Sequence, residues 1–510
     1  MKILNISKSN QITNTALKKN CLLGRVEYIN YNNSINLVKM KTFQKKIFSL
    51  TFLLFSSFLF ISCQNKSNKS ENQEGINRLI SYVNNKEGFE YKIIDSISFK
   101  GASLYRVKMN SGEWMSDKVK GESNWWHWLD IVIPDNVETN KSLLFIGPGS
   151  KYDNEIYLDS LSIEKAIKTK SIVSHISNIP YQPIKFISND SIDRYEDDLI
   201  AYGWNKFLKG GAKNEDVEWL LRFPMTRAVV RAMDVVQEIS SFKSNSVNSF
   251  FISGASKRGW TTWTTAAVDK RVIGMAPLVI DCLNIVPSFD HHYRLYGDWS
   301  PAVEDYVNFN IMDWMNTKEF KKLLSYVEPY EFKNLFTMPK LIINGTIDEF
   351  FATDSWKFYW NEIPDKKYLQ YVPNGNHGLL GGYQNQNVFS FYERLIFSEE
   401  LPELEWSIEN SSFNIKVEKN IPHTIGLWKI SNPKSRDFRI WEVGRNWEKT
   451  QIKTSESGIY KIDLPKGEGY TASLVEIIFF PDSDSPLILT TGTNVSPDKY
   501  DHEPYQTSMK

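Results

Sequence analysis

The segment Phe250-Phe251-Ile252-Ser253-Gly254-Ala255-Ser256-Lys257-Arg258-Gly259-Trp260 reads as an apolar strand, a tight turn and the start of a helix. A serine at such a turn is held with its hydroxyl exposed, and small neighbours are needed because strand and helix approach closely there. Gly254 and Ala255 meet that need, so Ser256 is a candidate nucleophile. The glycine usual two residues after the serine is replaced by Arg258, with Gly259 one place later, so the motif is G-x-S-x-x-G. Alone, that turn is a weak signal. The chemistry also needs an imidazole to take the serine proton and a carboxylate to fix its tautomer. The strand Leu341 to Gly345 runs into Thr346-Ile347-Asp348-Glu349, and the strand Tyr368 to Val372 into Pro373-Asn374-Gly375-Asn376-His377-Gly378. Ser256, Asp348 and His377 thus follow one another on strand-end loops, in the chain order expected for acyl transfer on an α/β sheet. Of the seven histidines only His377 combines a glycine-flanked loop with a place after a strand. Asp281, at the end of the run Ala276 to Ile280, is an alternative acid, and Glu349 a weaker one.

Acyl transfer also needs preorganised donors for the oxyanion, each worth about 2.7 to 4 kcal/mol. The backbone N–H of Lys257, opening a helix directly after the serine, is the first candidate. The second belongs on the loop after an earlier strand, where Leu144-Phe145-Ile146 leads into Gly147-Pro148-Gly149-Ser150. Gly149 or Ser150 is placed to donate, whereas Pro148 has no N–H; a plain turn is the alternative. Lys257 and Arg258 put two cations beside the serine, either as an anion site for substrate, with Arg258 a candidate binding residue, or as a solvated pair. Trp125 and Trp126, in the cluster Trp125-Trp126-His127-Trp128, line a pocket or simply pack.

No metal and no cofactor are implied: there is no H-E-x-x-H, no paired-cysteine motif and no phosphate-cradling glycine loop. Sixty basic residues balance sixty acidic ones, which lacks the basic footprint of a nucleic-acid partner. The expected partner is a small-molecule, peptide or glycan substrate; the oligomeric state is not legible.

The elements that must position these residues begin with an export pattern. Met40-Lys41 to Lys45-Lys46 is basic, Ile47 to Ile61 is apolar, and Ser62-Cys63 follows. That is a signal peptide ending at a candidate lipidated cysteine, Cys63, with translation expected to start at Met40 rather than at residue 1. Residues 1–62 are then upstream segment and signal peptide, and 63–75 a tether. The expected location is the cell envelope, with membrane attachment through Cys63. Residues 76–401 alternate short apolar runs with helical patterns, which implies a mostly parallel sheet covered on both faces, interrupted by an aromatic helical cap at about 282–338. Residues 402–497 show two-residue alternation, as in Phe413, Ile415 and Val417, and read as a small all-β, sandwich-like domain; 498–510 form a tail.

The stretch 254–263, with Pro224-Met225-Thr226 and Ala232-Met233-Asp234 upstream, resembles the PhoPQ-activated pathogenicity-related protein family, PqaA type. Trp125 to Leu129, Glu196 to Tyr202 and Asn344 to Phe351 resemble further blocks of it, and the likeness spans most of residues 75–500. The resemblance implies an exported protein with an α/β-hydrolase fold, associated in some bacteria with virulence and resistance to antimicrobial peptides, and no defined substrate. The elbow is also locally similar to the Ser-Arg-x-Gly turn of glucuronoyl esterases, which implies a carbohydrate esterase as one alternative. The expectation is a serine hydrolase cleaving an ester or amide; the rival is a non-catalytic binder of envelope peptides or glycans.

Overall fold

The computed structural model describes residues 73–153, 160–187, 192–242, 246–380 and 382–509. The expected signal peptide, Cys63 and most of the tether lie outside them. Residues 68–510 form one compact unit.

Nine strands make the principal sheet: β1 (Phe89–Phe99), β2 (Ala102–Glu113), β3 (Asn124–Pro134), β4 (Lys141–Ile146), β5 (Ile172–Ile176), β6 (Ser249–Ala255), β7 (Val272–Leu278), β8 (Lys340–Gly345) and β9 (Lys367–Val372). Their order is β1-β2-β3-β5-β4-β6-β7-β8-β9. The first three pairings are antiparallel and the rest parallel. This is the strand order of an α/β-hydrolase with one added edge strand, β1. The parallel strands β4, β6 and β8 are buried almost along their whole length, as expected of strands covered on both faces. The sequence pattern missed β1 because that strand is exposed on both faces, including Ile93, Ile94 and Ile97, and shows no alternation.

The α-helices ahead of Leu401 are α1 (residues 73–84), α2 (Ser160–Thr169), α3 (Glu196–Lys209), α4 (Arg222–Ser241), α5 (Lys257–Val268), α6 (Ile285–Tyr296), α7 (Glu304–Asn308), α8 (Lys318–Val327) and α9 (Gln384–Ile396). Helix α4 carries Pro224 in its first turn, where the missing N–H costs nothing. The Thr317 hydroxyl caps α8 by accepting from the Phe320 N–H at 3.1 Å. Helices α6 to α8, with short 3-10 turns, form the insertion between β7 and β8.

Beyond Leu401 the chain builds two antiparallel sheets. One orders β10 (Leu404–Glu409), β11 (Ser412–Val417) and β14 (Ile459–Asp463); the other orders β13 (Glu448–Ile452), β12 (His423–Asn432), β15 (Tyr470–Phe479) and β16 (Leu487–Thr490), with β17 (Asn494–Ser496) also on β15. Phe413, Ile415, Ile425, Val475 and Ile477 share one core with Leu341, Ile343 and Phe389 of the α/β region. Residues after 497 return across the cap, where the Tyr505 hydroxyl donates to Asp313 Oδ1 at 2.8 Å.

Candidate active site

Strand order decides where a site can form. From β4 the chain crosses to β5 on one side, and β6 then pairs with β4 on the other. The loops leaving β4 and β6 therefore diverge at a switch point, the crevice in which open α/β sheets bind ligands. The 147–150 loop leaves β4 there, and Ser256 leaves β6.

Ser256 adopts φ 58° and ψ −126°, a strained backbone for a residue with a side chain. Its N–H donates to Leu278 O at 2.8 Å, and its own carbonyl accepts from Trp260 N–H at 3.0 Å, pinning the turn between β7 and α5. A Cβ on Gly254 would meet Arg258 O at 2.7 Å, and one on Gly259 would meet Leu278 O at 2.8 Å. The glycine at position 259 thus provides the close approach that the usual glycine at 258 would give, and Arg258 is accommodated without loss of the elbow.

The hydroxyl of Ser256 lies 2.9 Å from His377 Nε2. On the far side of the ring, Nδ1 lies 2.9 Å from Asp348 Oδ2 and 3.1 Å from Oδ1. A carboxylate only accepts, so Nδ1 carries the proton and Nε2 is left to accept from the serine. Asp348 is 3% exposed and is held by the Phe350 N–H at 2.7 Å, so it cannot turn away. The ring of Phe350 packs on the imidazole at 4.1 Å between centroids. The arrangement can pass a proton from hydroxyl to imidazole while one fixed carboxylate stabilises the imidazolium.

The rival acids have other partners. Asp281 accepts from the Tyr359 hydroxyl at 2.6 Å and from that of Tyr371, whereas His377 Nδ1 is taken by Asp348. Burial pushes its carboxyl up to about 7 in spite of those two donors. Glu349 holds the histidine loop: it accepts from the His377 backbone N–H at 2.8 Å and from the Asn376 side-chain Nδ2 at 3.2 Å. The C-terminal region clamps the same loop. Arg445 Nη1 donates to the carbonyls of Asn374 and Leu380, and Asn374 exchanges hydrogen bonds with the Trp447 backbone. The sequence carried no signal for that clamp, because it joins residues about seventy positions apart.

Among the backbone donors, the Ser150 N–H is committed to Asp153 Oδ2 at 2.7 Å, which removes it as an oxyanion candidate. No acceptor for the N–H of Lys257 or of Gly149 exists among the described residues. Gly149 has φ 147°, and a Cβ there would meet Asn178 N at 2.8 Å, so only glycine fits. Its carbonyl accepts from Gln182 Nε2 at 2.8 Å.

Arg258 is a correction. Instead of facing a substrate, its guanidinium forms a two-pronged pair with Glu196, with Nη1 at 2.7 Å from Oε2, and also donates to Ile179 O. Lys257 Nζ bridges Glu196 Oε2 at 2.9 Å and Asp197 Oδ2 at 2.8 Å. Burial would raise the Glu196 carboxyl, but Arg258 and Lys257 outweigh it and hold the pKa at about 2. Gln182 joins this network to the β4 loop, donating to Glu196 Oε1 at 2.6 Å. Of the two readings for Trp125 and Trp126, the packing one holds and pocket lining does not: both are buried against Tyr181, Trp125 also against Trp114, and neither lines the cavity beside Ser256.

That cavity holds about 610 Å³ of space, part of it open to solvent. The cap residues Phe289, Tyr306 and Met312 line it together with Trp204, Trp260, Arg222, Phe350 and Phe351. Arg222 and Tyr306 escaped sequence reasoning, since nothing local distinguishes them from packing residues.

The PhoPQ-activated pathogenicity-related protein family model matches residues 79–439, more than half of the chain. The chain belongs to that family. A relative from Dictyostelium discoideum, autocrine proliferation repressor protein A, is 32% identical over 424 residues, covering 78% of this chain and 85% of the relative. Among solved structures, acetyl xylan esterase 1 from Thermoanaerobacterium sp. JW/SL YS485 is 13% identical with a TM-score of 0.45, covering 63% of this chain and 94% of its own. An acetyl xylan esterase from Paenibacillus sp. R4 is 12% identical with a TM-score of 0.44, covering 63% and 93%. Within this family member, the matched span includes Ser256, Asp348 and His377 and stops short of Arg445 and Trp447.

Proposed function

We propose that this family member is a serine hydrolase that cleaves an ester or amide of a small molecule, peptide or glycan. The carrying observation is the unbroken hydrogen-bond chain from Ser256 through His377 to Asp348, with heavy-atom distances of 2.9 Å at each link. His377 takes the hydroxyl proton as Ser256 Oγ attacks the carbonyl carbon. The oxyanion that forms is stabilised by the Lys257 N–H and the Gly149 N–H. The intermediate collapses as His377 returns the proton to the departing alcohol or amine, leaving an acyl group on Ser256. Water then repeats the sequence and releases the acid. The basic, apolar and Cys63 pattern of the N-terminal region supports export and a lipid anchor in the cell envelope.

Labelling with a fluorophosphonate probe tests this reading. A single adduct mapped to Ser256 is expected; a folded protein that takes up no probe would count decisively against hydrolysis and favour a binding role.

The acid assignment has its own test. Asp348→Asn is expected to lower kcat about 10⁴-fold, by stranding the wrong tautomer. Asp281→Asn is expected to change kcat less than about tenfold, because its partners are tyrosines and not His377. Single-turnover hydrolysis of one activated ester by both variants distinguishes the two; equal losses would reverse the assignment.

A further inference from the structure

The cavity beside Ser256 combines an apolar wall with a buried arginine that forms no ion pair among the described residues; Asp197 and Lys257, which pair with each other, also line it. Its wall includes Trp204, Trp260, Phe289, Met312, Phe350 and Phe351. Methionine and aromatic side chains of this kind bind apolar groups and adapt to their shape. Arg222, 1% exposed, lines the same space as Ser256. Its Nη1 donates to Lys257 O at 2.8 Å, and its plane lies over the Trp260 ring at 4.5 Å. The opposite edge of the fork is different: Nε is buried and has no hydrogen-bond partner.

Asp197 attracts Arg222 without pairing with it, because the carboxylates nearby are engaged by other groups. Glu196 is shared by Arg258 and Lys257, and Asp197 by Lys257 and the Tyr306 hydroxyl at 3.0 Å. Asp198 pairs with Arg194. Asp305 sits half-buried near Asp197 and Asp198, and burial, together with those carboxylates, raises its pKa. No ion pair among the described residues includes Arg222. Burial pulls its guanidinium down to about 10, which leaves it charged at neutral pH. A buried cation that forms no ion pair is costly, and the planar fork of arginine matches a carboxylate along two parallel hydrogen bonds.

We propose that this cavity is a specificity pocket for an apolar group ending in a carboxylate, with Arg222 anchoring that carboxylate while Ser256 attacks the ester or amide at the pocket mouth. The inference rests on the hydrolase reading above and narrows its substrate class to acidic, apolar-bodied acyl or alcohol portions.

Matched substrates test it. Mono(4-nitrophenyl) adipate against 4-nitrophenyl hexanoate compares acyl chains of equal length with and without the terminal charge. 3-Carboxyphenyl acetate against phenyl acetate does the same on the alcohol side. The charged member of at least one pair is expected to show about tenfold or greater kcat/KM, as for a hydrogen bond to a charged group. Arg222→Gln should bring that ratio to near one, and Arg222→Lys should keep part of it. Equal turnover of both members in both pairs, or a ratio unmoved by Arg222→Gln, overturns the proposal.

Should the variants fail to fold, the wild-type protein decides the matter. Hexanoate ion is expected to protect Ser256 from a fluorophosphonate at a concentration at least tenfold below that of hexanamide, and equal protection overturns the pocket assignment. The two levels separate cleanly. Wild-type protein that takes up no probe loses the hydrolase reading and this inference with it; labelled protein without anion preference loses only the pocket.

Discussion

Replacing Ser256 by Ala is expected to lower ester turnover about 10⁴- to 10⁶-fold, because the three residues of such a relay act as a unit. The hydroxyl is the only group lost, and among the described residues its side-chain partner is His377. The elbow itself is held by backbone hydrogen bonds to Leu278 and Trp260, which the substitution leaves in place. Thermal unfolding should therefore shift by no more than a few degrees. Non-additivity gives a sharper check: adding His377→Ala to the Ser256→Ala background should cost almost nothing further, whereas His377→Ala alone should cost nearly as much as Ser256→Ala. Steady-state kinetics on the single and double variants read this directly. Independent, multiplying losses would mean that the two side chains do not share one proton.

Glu196→Gln is expected to have the largest effect on stability and to disturb activity from a distance. Lys257 and Arg258 side chains are each 8% exposed, and Glu196 is the carboxylate they share. Breaking a buried pair costs about 3 to 5 kcal/mol. Glu196 itself is 35% exposed, and solvent screening reduces the loss to about 2 kcal/mol. The pH dependence has a definite sign. The folded-state pKa of about 2 lies below the ~4.3 of a free glutamate, so the stabilisation is complete above about pH 5 and disappears as pH falls through the folded value. The gap in urea midpoint between wild type and Glu196→Gln should be full at pH 7, smaller at pH 3 and closed near pH 2. A gap that is constant with pH would show that the pairs contribute through packing alone. Because Gln182 links Glu196 to Gly149 O, the same substitution should also loosen the β4 loop and lower kcat more than it raises KM.

Ser256, Asp348 and His377, which the fold brings within hydrogen-bond distance in one chain through His377, could be picked out because their signals are local. An apolar run followed by small and polar residues marks a strand and its exit loop, and chain order then ranks the loops. Gly259, one place late in the motif, looked like a defect and is not one: helix and strand touch at that position. Arg258, Ser150, Trp125 and Trp126 were left between two readings for the opposite reason. Their residue types suit a binding site, but each is occupied by a partner that no local pattern announces. Glu196 lies 62 positions from Arg258 in the chain, and it reaches the elbow through a backbone turn at φ 47° that sequence does not display.

What the sequence by itself determined is the α/β alternation, the strand-end placement of Ser256, Asp348 and His377, and the helical insertion ahead of β8. These depend on periodicity and turn chemistry within some ten residues. Only the tertiary structure decided which charges cancel and which face the cavity. The sheet order sets β4 beside β6, brings Glu196 under the elbow and leans Arg445 and Trp447 on the histidine loop. In a buried, low-dielectric site the energy of a charge depends on its nearest counter-charge, and strand order rather than sequence neighbourhood determines which residue that is.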